Sequence, residues 1–121
     1  MPSGNMSQLE ATVARLPEAE RVDIEAWGDH PTFRVRGRNF VFCDQEARHL
    51  TVKLPVEEAA AVVASRPGAA PAGYGLGRSG WVALELPGRM SAKAWAEIAE
   101  MVETSYRLVA PKKLVRILDE A

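Results

Sequence analysis

The stretch 33–42 constrains the fold more than any other part of the chain. Phe33 and Val35 alternate with Arg34 and Arg36, Gly37 interrupts, and Phe40 and Phe42 resume a period of two. Successive strand side chains point to opposite faces, so the pattern predicts a hairpin with Phe33 and Val35 toward a core. Arg34 and Arg36 then face away, with Arg38 close to the turn. Three more strands are expected. Residues 22–26 alternate Val22, Ile24 and Ala26 with Asp23 and Glu25; residues 49–54 follow the polar turn Asp44-Gln45-Glu46; and residues 81–86 follow a Gly/Pro/Ala-rich stretch, 67–80, read as a loop.

An apolar sheet face must be covered, and the remaining sequence supplies helices to cover it. Ser7-Gln8-Leu9-Glu10 reads as a capping box opening a first helix, with Leu9, Val13 and Leu16 on one side and Pro17 ending it. Pro55, followed by Glu57 and Glu58, predicts a helix to about Ser65 that buries Ala59, Val62 and Val63. Ser91 can cap a third helix, with Trp95, Ile98, Val102 and Ser105 aligned. Pro111 opens a fourth, with Leu114, Val115 and Leu118 inward and Lys112, Lys113 and Arg116 outward. The order α-β-β-β-β-α-β-α-α segregates helices from strands. It predicts an α+β two-layer sandwich: an antiparallel sheet with helices packed on one face. At 121 residues the chain is one domain, 1–121, with residues 1–6 expected to be flexible.

Several function classes are disfavoured by composition. The longest apolar run, 59–64, is far short of a membrane span, and the amino terminus lacks a secretion signal, so a cytoplasmic location without membrane association is expected. A single cysteine, Cys43, allows no internal disulfide. Cys43, His30 and His49 are too few for a zinc site, and no cofactor is expected. Gly75-Leu76-Gly77-Arg78-Ser79-Gly80 matches the dinucleotide fingerprint formally, but it precedes a strand instead of opening a helix. Ser79 lies outside a nucleophile elbow, and the acidic pairs Glu57/Glu58 and Asp119/Glu120 sit at helix ends, where dipole complementarity or solvation accounts for them. No catalytic residues are assigned, and the chain is read as non-enzymatic.

The distribution of charge is more informative than its near-neutral total of −1. Residues 1–30 carry two basic and six acidic side chains, whereas residues 31–53 carry five basic and two acidic. Arg34, Arg36, Arg38, Lys53, Arg78, Lys112, Lys113 and Arg116 are the candidate nucleic-acid contacts, since guanidinium and ammonium groups on a hairpin and a helix face can meet phosphates. The alternative is a protein-interaction or small-ligand patch on the Gly-rich loop, from Tyr74, Arg78 and Trp81. A monomer is expected.

The stretch Trp27-Gly28-Asp29-His30-Pro31-Thr32-Phe33-Arg34-Val35-Arg36-Gly37-Arg38-Asn39-Phe40 resembles the MmcQ/YjbR family. The likeness continues through Leu50-Thr51-Val52-Lys53, Tyr74 with Trp81-Val82, and Ser105-Tyr106-Arg107-Leu108-Val109-Ala110-Pro111-Lys112-Lys113-Leu114. It implies a CyaY-like α+β fold with two β wings and, loosely, DNA binding. The hairpin from Arg34 to Phe40 then becomes a wing, and Pro31, Phe33, Trp81 and Tyr106 become architecture, with the three rings in the core. Asn39 stands where relatives often carry a lysine.

Overall fold

The computed structural model describes residues 4–28, 30–73 and 75–120, without the side chain of Trp27. Four helices and six strands follow the order α1 (Gly4–Ala14), β1 (Ala19–Ile24), β2 (His30–Val35), β3 (Arg38–Cys43), β4 (His49–Lys53), α2 (Val56–Ser65), β5 (Ala69–Pro71), β6 (Trp81–Glu85), α3 (Ala92–Val109) and α4 (Lys112–Glu120). The strands form one antiparallel sheet in the order β1-β2-β3-β4-β6-β5, and the helices lie on one face, α3 against β3 and β4, α2 against β5 and β6. The α+β sandwich expected from the hydrophobic periods is therefore the observed fold.

The core forms where the two periodicities meet. Val41, Val52 and Val82 stand in register across β3, β4 and β6, and Cys43, Leu50 and Leu84 do the same one step along. Against them the helices press Leu9, Val13, Trp95, Ile98, Val102, Tyr106 and Leu114, all buried. Each large side chain so buried is worth roughly 1.5–3 kcal/mol. Single polar groups fix the layers against one another. Ser105 on α3 donates to the Phe40 carbonyl at 2.6 Å and accepts from the Lys53 amide at 2.9 Å, satisfying two strands with one hydroxyl. The Tyr106 hydroxyl donates to the Pro17 carbonyl at 2.7 Å, and the Trp95 indole donates to Thr12 on α1 at 3.1 Å.

Local departures from the sequence expectation have identifiable causes. The first helix starts at Gly4, so Ser7 is an exposed interior residue and caps nothing. Residues 4–6, expected to be flexible, form its first turn: Asn5 is buried and donates to the carbonyls of Ala47 and Pro87. The first strand ends at Ile24, because Glu25–Trp27 coil into a 3-10 turn closed by Gly28 at φ 73°. Within 67–80, read as a loop, lies the short strand β5. Ala-Ala-Pro carries no β-branched or aromatic signal, and Pro71 is tolerated because β5 is an edge strand. The 3-10 turn Leu76–Ser79 then leads to Gly80, whose φ is 93° and where a Cβ would stand 2.0 Å from the Leu54 carbonyl oxygen. Only glycine fits there.

Candidate nucleic-acid interface

A β-bulge decides what the uncovered face of the sheet displays. Phe33 pairs with Val41 but Arg34 pairs with Asn39, so Phe40 is an extra residue in β3. Phe40 and Val41 are consequently both buried, Phe40 with its ring edge-on to Tyr106 at 5.5 Å. Phe42 is turned to the opposite face, so the two phenylalanines that alternate in the sequence do not share a side. On that face the row Val22, Thr32, Phe42, Thr51, Ala83 crosses five strands in register. Trp81, facing Lys53 in the neighbouring row, meets Phe42 with ring centroids 5.5 Å apart and planes at 61°. Trp81, expected in the core, is half-buried on this outer face, because its partner Lys53 alternates with the inward Val52.

The predicted basic residues fall into three groups. Arg34 and Lys53 belong to the uncovered face. Arg34 is half-buried and donates to the Thr32 hydroxyl at 3.3 Å, itself donating to the Val22 carbonyl. Among the described residues no carboxylate ion-pairs with Arg34, Arg38 or Lys53.

The second group surrounds the β2–β3 turn. Arg36 and Gly37 have φ of 51° and 78°, the pair of positive values that a two-residue hairpin needs to match the strand twist. Arg36 is thus a turn residue and does not continue the outward row of Arg34. It is ion-paired at 2.6 Å with Glu18, itself at φ 57°. This hydrogen bond holds the Glu18 carboxyl below its ordinary value against slight burial, assisted by the charges of Arg36 and Lys113. Lys113 at the start of α4 therefore lies within electrostatic reach of the hairpin tip. Arg38 pairs with Val35, which puts it on the helix side of the sheet. Lys112, Lys113 and Arg116 are exposed on α4, as its apolar period requires.

Arg78 forms the third group. It is exposed in the 3-10 turn beside β5 and β6, three strands from Arg34, or about 14 Å at the usual strand spacing. Tyr74, its proposed companion, lies outside the described residues. Next to this turn Val56, Ala60, Val63, Pro71, Gly77 and Trp81 line an apolar groove of about 330 Å³.

Elsewhere the chemistry is spread out. Cys43 is buried, and desolvation, with Asp44 adding to it, pushes its thiol up to about 12, so it is no thiolate at neutral pH. Cys43 faces the helices, whereas His49, one residue from its partner Leu50, faces away. Among the described residues no three His, Cys, Asp or Glu side chains gather as a metal cluster, and no helix is long and apolar enough to cross a membrane. The residue that sequence reasoning missed is Phe42. Its aromatic character was visible, but its face depends on the bulge.

The YjbR family profile matches residues 14–108, the segment containing the sheet and most of α3. A crystal structure of the Deinococcus radiodurans protein DR2400, with a DUF419 domain, superposes with a TM-score of 0.72 over 98% of this chain and 91% of that one. At 23% identity that likeness speaks for the fold. No curated protein matches. With its family profile spanning most of the chain and its fold shared with a DUF419 protein, the chain belongs to the YjbR family.

Proposed function

We propose that the chain is a non-enzymatic nucleic-acid-binding protein that contacts phosphates through the uncovered sheet face and the adjoining hairpin tip. The observation that carries this reading is the pairing state of the cations. Among the described residues the ion-paired cations are Arg21, Arg36 and Arg107; of the others, Arg34 and Lys53 share the uncovered sheet face and Arg38 stands at the adjoining hairpin tip. A surface needed only for solubility gains from interspersed opposite charges. Arg34 on β2 and Lys53 on β4, unmatched on one face, with Arg38 at the adjoining tip, suit a phosphate backbone, whose charges repeat along its length. Lys112 and Lys113 extend the surface beyond the tip, with Arg116 further along α4. Arg78, at the far edge, is peripheral to it.

The test is fluorescence anisotropy of labelled DNA, duplex and single-stranded, at low and physiological salt. Binding should weaken steeply as salt rises, and a folded Arg34→Ala/Arg38→Ala/Lys53→Ala variant should lose about one unit of salt slope for each contact removed. Absence of binding to either form at low salt, where electrostatic attraction is strongest, would overturn the reading.

A second reading is favoured by the apolar groove beside Gly77 and Trp81, where Val56 is 59% exposed. A small apolar ligand fits that lining, and Arg78, next in the chain to the lining residue Gly77, is the cation proposed for a polar end. Such a ligand would protect Val56→Cys from thiol reagents, and DNA would not.

A further inference from the structure

We infer that the uncovered sheet face takes single-stranded nucleic acid, with Phe42 and Trp81 as the platform on which bases stack and Lys53 and Arg34 as the adjacent phosphate contacts. The inference rests on the nucleic-acid reading above and specifies which form of the polymer is bound.

The first support is the position of the rings. β3 and β6 are separated by β4, so their backbones lie roughly 9–10 Å apart at normal strand spacing, yet the Phe42 and Trp81 centroids are 5.5 Å apart. The rings therefore lean toward each other over β4. Thr51 and Ala83, in the row of Phe42 and next to that of Trp81, are small enough to leave that surface low. The result is a continuous aromatic ledge in the middle of a sheet face that no helix covers, built on strands and held in place by mutual edge contact.

The second support is what borders the ledge. Lys53 stands in register with Trp81, and the Arg34 side chain runs back toward Thr32, the register partner of Phe42. Each ring thus has a cation without an ion pair next to it; Glu20 stands in register with Arg34 on its β1 side, away from the rings, and Glu85 lies at the opposite end of β6 from Trp81. Alternating aromatic and cationic groups match a chain in which flat bases alternate with phosphates. A duplex hides its base faces inside the stack, so only an unpaired strand can use the rings. The Trp81 indole N–H meets no acceptor among the described residues, leaving it available to a base or phosphate oxygen.

The probe is a fluorescein-labelled oligothymidine of about 16 nucleotides, the upper end of the range for one sheet platform, against a duplex of the same length. The single strand should bind more tightly than the duplex. Phe42→Leu and Trp81→Leu, which keep apolar bulk but remove the ring, should each weaken single-strand binding roughly ten-fold and leave duplex binding unchanged. Methyl NMR of the unaltered protein supplies a readout that needs no variant. Thr51 and Ala83 should shift on adding oligothymidine, while Ala96 on the helix side should not. Duplex binding as tight as single-strand binding, or stationary Thr51 and Ala83 methyls in a complex that forms, overturns the platform and leaves the phosphate reading standing. No binding of either form at low salt overturns both.

Discussion

On one face of the sheet Phe33, Val41, Leu50, Val52, Val82 and Leu84 are almost wholly buried beneath the helices. On the other, Phe42, Thr51, Trp81 and Ala83 remain partly exposed beside Arg34 and Lys53. Neighbouring residues of the same strands serve both faces, so a substitution one position along the chain should change a different property. The covered face carries stability, because removing its atoms leaves a cavity that a packed interior closes only in part. The uncovered face can hold two large rings because they shield each other by edge contact.

The sharpest break in that comparison comes from Phe33→Ala, which should cost about 3–5 kcal/mol in urea denaturation through the cavity it leaves. Next is Ser105→Ala, expected to cost about 1–3 kcal/mol, since the Lys53 amide and the Phe40 carbonyl lose a buried partner together. Phe42→Ala should cost only about 1 kcal/mol, in proportion to a half-buried ring. Equal losses for Phe33→Ala and Phe42→Ala would show that the two faces are energetically alike.

The smallest effect belongs to the hairpin tip. Glu18 has its folded pKa depressed, chiefly by the hydrogen bond from Arg36, so its contribution is full above its unfolded value near 4.5 and is lost as pH falls through the folded value. Glu18→Gln should flatten the fall in Tm between about pH 5 and pH 3 at low salt. Asp119 is held down in the same direction by its hydrogen bond from Arg107, so part of the acid loss should persist in the variant.

The architecture was legible in the sequence because its signals are local and repeated. A period of two in 33–35, a period near 3.6 in Trp95, Ile98, Val102 and Ser105, and a cap at Ser91 accepting from the Ala94 amide at 3.1 Å each survive in the structure. The site was less legible because its determinants are not local. One extra residue in β3 sends Phe40 and Phe42 to opposite sides, and alternation alone predicts that they share one. Whether an arginine is free or neutralised depends on partners such as Glu18, which reaches Arg36 only once β1 and β2 have paired. A basic set that looked continuous in the sequence is divided among a sheet face, a turn and a distant edge.

The approach of Gly80 to Leu54 also bears on how the molecule comes together in time. In the order β1-β2-β3-β4-β6-β5, neighbouring strands are consecutive in the chain except at β4 and β6. The meander β1–β4 and the hairpin β5–β6 can each zip through short connections, but their junction must wait for the chain through α2 to return. Gly80 sits at the end of that junction, its carbonyl accepting from the Leu54 amide at 2.9 Å. Refolding should therefore be limited by closure of this one seam. A Val82→Ala chain, which weakens the Val52–Val82 pair of this seam, should refold more slowly in stopped-flow mixing, and an unchanged refolding rate would place the barrier elsewhere.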